Sequence, residues 1–536
     1  MLYTTMSRRT ALSLISAAAA TPFMGCGDLA GSSPQPTSRV TSATRPRYHL
    51  TPATEWINDP QRPIFLNGVW NMWVLYAADY PTDTGTAWRH YTSTDLVTWT
   101  DQGISIPKDT TQYGDVWTGS TVVDTNNTAG HGAGALIALM TMPANNTGSG
   151  GATSAGGGTG QNQSTALWYS NDNGKTFSFD SIVQPNYPGN NATFRDPSIF
   201  WHVPTQKWIM SLAETNKLSV YTSTNLKNWT YASGLVNTQL GTMECPNLFP
   251  LHLYASDGTT VMSDKWILLC GANGYLTGRT INTYYWVGSF DGITFTPDNA
   301  GTWLDFGSDF YACTVFTPSG TGDALASATA IAWMNNWDYA SVFPTIDYFG
   351  QLSTTRNLKL QVVNGVETLI NSPLPALNSV FTATVNGTDQ VISDATVYSF
   401  PTWANTPASR IDFTITQQNG AWPGAIFVSL RGGGGYFTQL TFDFGKQNIF
   451  LFRADGGPQP TTDAAWVNNS NAPFTYPQPT LTVSILLDVN SIEIFINGGQ
   501  ISISSLITAP LDATSLGMNL AGGSALISNL TIHSVA

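Results

Sequence analysis

Three acidic residues stand out in a chain that carries few charges. Asp59 sits between an asparagine and a proline in Trp56-Ile57-Asn58-Asp59-Pro60-Gln61-Arg62-Pro63. Asp196 follows an arginine in Phe194-Arg195-Asp196-Pro197, and Glu244 precedes Cys245-Pro246. Each is an acid with a proline one or two residues on, ahead of an aromatic or aliphatic stretch. Taken singly, each has an ordinary reading. Asn-Asp-Pro is turn chemistry, because Asx side chains bond nearby backbone and proline presets φ. Arg195-Asp196 reads as an ion pair, and Glu244 as a surface acid. Gathered in one aromatic cleft, the same groups suit the cleavage of a glycosidic bond. One carboxylate attacks the anomeric carbon, and another, kept protonated, gives its proton to the leaving oxygen. Proximity of like charges raises the pKa of one of them and so supplies the acid.

Elements that would gather them are visible as a repeat. Four segments share an aromatic strand, a polar Ser/Thr-Asx turn and a second aromatic strand: Tyr91 to Trp99, Trp168 to Phe177, Tyr221 to Trp229 and Trp286 to Phe295. They recur at intervals suited to a four-stranded propeller blade with its loops. Alternating stretches at Lys207 to Leu212 and Lys265 to Leu269 supply strands between them. Innermost strands of a propeller line a central axis, so acids at their ends converge from distant points in the sequence. After about residue 365 the pattern changes. Arg410 to Ile415 and Ser491 to Ile496 alternate, the latter ending in Asn497-Gly498-Gly499, as in an antiparallel sandwich. The expected organisation is an export signal and start of a tether over 1–36, a linker over 37–46, a propeller over 47–365 and a β-sandwich over 366–536.

Composition narrows the partners. Of 536 residues only 10% are charged, and Gly and Pro are abundant, which suits many short strands joined by turns. A net charge of −13 argues against nucleic acid or an anionic membrane. No glycine-rich loop ends in Lys-Ser/Thr, so no nucleotide cradle is expected. The 18 Trp and 20 Tyr offer flat apolar faces with polar handles, which suit sugar rings as well as a core. The six histidines are scattered and Cys245, Cys270 and Cys313 show no CxxC spacing, so neither a metal nor another cofactor is expected. Those three thiols read as buried and inert. Ser7-Arg8-Arg9-Thr10 followed by the apolar run Leu12 to Ala20 is a twin-arginine-like start, and predicts a periplasmic or extracellular protein. Phe23-Met24-Gly25-Cys26 is a weak match to a lipoprotein cleavage site. No later segment is long and apolar enough to span a bilayer. Nothing in the sequence sets the oligomeric state, and a monomer is the default.

Further motifs carry a resemblance. Tyr48-His49, WINDP, VWTGS (Val116 to Ser120), FRDP, MECP, DFYA (Asp309 to Ala312) and WMNNWDYA (Trp333 to Ala340) resemble the fructan-cleaving enzymes of glycoside hydrolase family 32. Leu486 to Gly498 resembles that family's sandwich, so the likeness runs from about residue 47 to the C-terminus. It implies an all-β fold, a five-bladed β-propeller followed by a C-terminal β-sandwich, and hydrolysis of β-fructosides with retention, without a metal. Matched position by position, Asp59 is the nucleophile, Glu244 the general acid/base and Asp196 the transition-state stabiliser. Asn58, Trp88, Trp117, Ser120, Arg195 and Trp337 match substrate-binding positions.

The chain also departs from the pattern. Gln61-Arg62 replaces the usual Asn-Gly, and Leu75 stands where a glutamine is expected; both changes are expected at the pocket rim or wall. The Asp-Pro-Gln-Arg-Pro form is similar to levan-acting members, so a β-2,6 fructan is the favoured substrate. Release of fructose from chain ends is expected. The alternatives are a levan fructotransferase forming a difructose dianhydride, an inulinase or invertase, and, remotely, a non-catalytic fructan-binding propeller. The glycine-rich stretch Gly148 to Gly160 has the composition of a flexible rim loop or a disordered segment.

Overall fold

A computed structural model describes residues 44–535 apart from 78–85, 109, 144–162, 187–192, 318–321, 346, 402–405 and 476. The twin-arginine-like start, Cys26, most of the linker and Gly148 to Gly160 lie outside the described residues. The described chain is nearly all strand, arranged as a propeller of radially set sheets followed by a sandwich. Among the described residues no helix is long and apolar enough to cross a membrane.

Each repeat recognised in the sequence becomes the outer hairpin of a sheet. Tyr91 to Trp99 joins the strands Ala87–Ser93 and Thr100–Ile106, and Tyr221 to Trp229 joins Lys217–Ser223 and Thr230–Val236. The turns are closed by the Ser and Asx side chains. Asp95 Oδ1 accepts from the amides of Val97 and Thr98, and Asn225 Oδ1 from those of Lys227 and Asn228. Leu96 and Leu226 take the left-handed conformation, at φ 63° and 62°, and point into the core. Their burial offsets the backbone strain.

First strands of successive sheets lie against one another around the axis. Gly119–Asp124 touches Arg195–His202, which touches Met243–Tyr254, which touches Tyr311–Phe316, which touches Glu55–Pro60. Glu55–Pro60 also pairs in parallel with Tyr348–Phe349, so the start of the fold is tied to a segment almost three hundred residues on. A nine-stranded sheet combines two antiparallel groups, joined where Leu253 and Tyr254 pair in parallel with Leu360 and Gln361. Apolar side chains fill the spaces between sheets. One cluster joins Trp73, Leu75 and Trp88 of the first sheet to Leu136, Met140 and Trp168 of the second.

The domain boundary expected between residues 365 and 366 falls inside a hairpin. Arg356–Val363 and Val366–Pro373 pair across Asn364-Gly365, both at positive φ (50° and 80°). That is a two-residue turn of the type hairpins favour, and the strand after it still belongs to the propeller. The sandwich begins beyond it, as two antiparallel sheets packed over Ile411, Phe413, Val428, Leu440, Ile485 and Ile494. Charged groups are buried where the two parts meet: Arg356 with Glu493 at 2.6 Å, Arg453 with Asp309 at 2.7 Å and His49 with Asp488 at 2.8 Å.

Candidate active site

Asp196 and Glu244 are the second residues of the first strands Arg195–His202 and Met243–Tyr254, and Asp59 is the last but one of Glu55–Pro60. None of these strands pairs regularly around its acid. Pairing with the second strand slips between Ile57 and Pro60, between Arg195 and Ser198, between Glu244 and Asn247, and between Tyr311 and Thr314. Three of these bulges contain a residue at positive φ: Asp196 at 61°, Cys245 at 50° and Ala312 at 49°. A bulge inserts an unpaired residue and re-aims its neighbours. Pro197 and Pro246, which lack an N–H, fall where the ladder is already broken. That is why an acid followed by proline marks these positions.

The matched bulges build two levels. At the outer one, Arg195, Glu244 and Tyr311 occupy equivalent places and bond to one another. The Arg195 guanidinium lies 2.6 Å from Glu244 Oε1, and the Tyr311 hydroxyl donates to Glu244 Oε2 at 2.5 Å. At the inner one, Cys245 lies between the two aspartates. Its thiol is 3.7 Å from Asp59 Oδ2 and 3.6 Å from Asp196 Oδ2, and its amide donates to Asp196 Oδ2 at 3.1 Å. Asp59, Asp196 and Glu244 are all buried. The two aspartates share one sulfur atom as neighbour, and Glu244 is the residue before that cysteine.

Asp59 is held on both carboxylate oxygens. Asn58 Nδ2 donates to its Oδ1 at 3.0 Å, and the Thr118 hydroxyl donates to its Oδ2. Asn58 is fixed in turn by Trp56, whose Nε1 donates to Asn58 Oδ1 at 3.1 Å. Asp196 is anchored through its backbone, its amide donating to the Thr141 hydroxyl at 2.8 Å. Asn247 stitches two bulges together, donating to the carbonyls of Cys245 and Cys313 and accepting from the amide of Val315.

Residues expected to bind substrate divide into two groups. Asn58 and Arg195 touch the acids directly. Trp337 is half-buried and stacks on Trp56 at 6.0 Å, while Trp117 is half-buried next to Thr118. Trp88 and Ser120 lie behind this surface. Trp88 is fully buried and its Nε1 holds the carbonyl of Trp117 at 3.0 Å. The Ser120 hydroxyl is occupied between the Pro197 carbonyl and the Ile199 amide.

The departures at 61, 62 and 75 are wall rather than rim. Gln61 is fully buried, its Nε2 donating to the Asp59 carbonyl at 2.8 Å and its Oε1 accepting from Gly119 at 2.7 Å. Gly119 admits no side chain, since a Cβ would lie 2.1 Å from the Leu139 carbonyl. Arg62 donates to the Ile199 carbonyl and the Ser198 hydroxyl, and burial lowers its pKa to about 10. Leu75 packs in the apolar cluster with Trp73 and Trp88. Sequence reasoning assigned no role to Tyr311, Thr118 or Thr141. The first two stand inside the quoted motifs DFYA and VWTGS, which is the only signal for them. Cys245, Cys270 and Cys313 are buried and not joined in disulfides, and burial pushes the thiol pKa of the last two well up. Among the described residues no group of His, Cys, Asp and Glu is arranged to hold a metal ion.

Comparison with known proteins follows the same division of the chain. Residues 49–373 match the glycosyl hydrolases family 32 N-terminal domain, and 378–534 match the family 32 C terminal. A levanbiose-producing levanase of Bacillus subtilis is 36% identical over 91% of this chain and 90% of its own length. One from Geobacillus stearothermophilus is 43% identical over 64% of this chain and 82% of its own. The crystal structure of an exo-inulinase from Aspergillus awamori superposes with a TM-score of 0.78, at 26% identity over 94% of this chain and 99% of that one. With its three buried acids at the axis and both family domains in order, this chain belongs to glycosyl hydrolase family 32 and is a glycoside hydrolase acting on β-fructosides.

Proposed function

We propose that the chain is an exported, retaining fructan hydrolase that attacks β-2,6-linked chains from their ends. The observation that carries the reading is the cluster of Asp59, Asp196 and Glu244 around Cys245, with Arg195 and Tyr311 on the outermost acid. Asp59 attacks C2 of the terminal fructosyl unit while Glu244 delivers a proton to the leaving glycosidic oxygen. Water, deprotonated by Glu244, then opens the fructosyl-enzyme and restores both carboxyl groups. Asp196 accepts hydrogen bonds from fructosyl hydroxyls, which strengthen as oxocarbenium charge develops. Retention calls for about 5 to 5.5 Å between the carboxyl groups of Asp59 and Glu244, against roughly 6.5 to 9.5 Å for inversion. A five-bladed count, which the family likeness implies, is supported by the two antiparallel groups within the nine-stranded sheet.

Export rests on the twin-arginine-like start and on the exo-inulinase relatives described as extracellular, one from Aspergillus niger at 32% identity. Levan as substrate rests on the two levanase relatives. Their description as levanbiose-producing favours a second reading, in which a disaccharide leaves instead of fructose. Incubation with levan, inulin and sucrose, followed by chromatography of the products, decides between them. Free fructose from the earliest times on levan fits the first reading, and a levanbiose peak fits the second. A dianhydride would identify a transferase, and no turnover of any fructan would reject both.

A further inference from the structure

The strand Val261–Asn273 runs antiparallel to the strand that carries Glu244, with Glu244 opposite Gly271. Gly271 has no side chain to obstruct Tyr311, whose ring would lie 2.9 Å from a Cβ there. Antiparallel pairing brings the end of this strand out on the same face as the acid. The chain then turns through residues 274–280, and this turn is rigidly tied. The Tyr275 amide donates to Asn273 Oδ1 at 3.1 Å, the Thr277 and Arg279 amides donate to the Gly274 carbonyl, and the Gly274 amide donates to the Thr280 carbonyl. Gly278, at φ 73°, supplies the left-handed step that closes it.

Two apolar side chains project from this turn, Tyr275 at 50% and Leu276 at 70% exposure. Tyr275 is nevertheless fixed. Its hydroxyl donates to Asp338 Oδ2, on the residue next to Trp337. Thr280 secures the same corner, donating to Asp338 and accepting from Asn336 Nδ2 at 2.8 Å. An aromatic ring is thus held half in solvent beside the tryptophan of the site, on the side from which Glu244 acts. A ring anchored by its polar tip loses little freedom when a ligand covers its face.

We propose that Tyr275 is a specificity-determining platform for the leaving part of the substrate, its ring stacking on a fructosyl unit beyond the bond being cleaved. The inference rests on Glu244 as the proton donor. The oxygen that Glu244 protonates belongs to the departing chain, so that chain leaves on Glu244's side, where the exposed ring stands. Sugar rings present C–H faces that pack on aromatic rings. A long fructan therefore gains a contact that a fructoside with a small leaving group lacks.

The test compares levan and inulin oligosaccharides of equal length with methyl β-D-fructofuranoside, read as the ratio of kcat/KM values. Tyr275→Ala is expected to lower the ratio for the favoured fructan about 10-fold, chiefly through KM. Tyr275→Phe and Tyr275→Trp keep a face but lose the bond to Asp338, and are expected to stay within about 3-fold of wild type. An unchanged ratio in Tyr275→Ala overturns the proposal. So does an equal loss in all three variants, which would make Tyr275 a bolt for the turn. A wild-type protein that cleaves neither the oligosaccharides nor the methyl fructoside would instead overturn the reading of the site itself.

Discussion

Asp59, Asp196 and Glu244 reach the axis by different local means, and their loss should be felt in chemistry more than in folding. Asp59→Asn, Asp196→Asn and Glu244→Gln change charge while almost preserving shape. Each is expected to lower kcat by at least about 100-fold, the low end for removing an acid or base. Thermal melts of the three should remain close to wild type. More than about a tenth of normal turnover in one of them would remove that residue from its role. Tyr311→Phe tests the support of Glu244, since it deletes the hydrogen bond that the phenol donates to it. A fall in kcat on the order of 10-fold is expected, with little change in KM. Gln61 shows what the sequence leaves open. Its place next to Asp59-Pro60 pointed to the rim or wall of the pocket, and both ends of its amide bond the protein's own backbone. Gln61→Leu is therefore expected to cost stability, about 1 to 3 kcal/mol for two buried groups left unmatched, and chemical denaturation measures it. Trp88 and Ser120 make the same point. Alternation tells which residues share a face of a strand, but not whether that face looks onto a pocket or onto the next sheet.

The repeat was legible among the elements because its turns have a fixed side-chain chemistry. Ser93 and Asp95, like Ser223 and Asn225, must close a turn whose third position is left-handed. Few residue combinations do this, so the segments look alike. Asp95→Ala removes the acceptor for two amides and is expected to lower stability by about 1 kcal/mol, read as a shift in the urea midpoint without loss of activity per folded molecule. The bulges at Asp196, Cys245 and Ala312 were not legible in the same way. A positive φ at a residue other than glycine leaves no mark in composition; Pro197 and Pro246 hinted at a broken ladder after Asp196 and Cys245, and nothing did so after Ala312. Asn364-Gly365 is a different case. An Asn-Gly pair marks a turn, but whether a turn joins two strands or two domains depends on what the next strand pairs with. Here Val366–Pro373 returns along Arg356–Val363, so this turn joins two strands of one sheet.

At the scale of the molecule, the sandwich is joined to the propeller through buried charge, and this makes the junction sensitive to pH. His49 lies between two carboxylates of the sandwich, 2.8 Å from Asp488 and 3.6 Å from Glu493, and Glu493 also meets Arg356. Asp488 further accepts from the amides of Arg47 and Tyr48. Burial disfavours the imidazolium, but the hydrogen bonds and charges of Asp488 and Glu493 outweigh it and raise the His49 pKa to about 9. Burial likewise works against the charge on Glu493, and Arg356 and His49 overcome it, holding that carboxyl far below its usual range. A raised pKa on a base stabilises the folded state most where both states are protonated, below the unfolded value of about 6.5. As pH rises, the unfolded chain sheds this proton first, and the contribution fades until it is gone above about 9. The lost term is on the order of 3 kcal/mol. The urea midpoint of the wild type is therefore expected to fall between pH 6 and pH 10, and tryptophan fluorescence reports it. His49→Gln keeps a hydrogen-bond donor but cannot titrate. Its midpoint should lie below wild type at pH 6 and change much less on the way to pH 10. Parallel curves for the two proteins would show that the pH response arises elsewhere, and that the junction is held without a proton on His49.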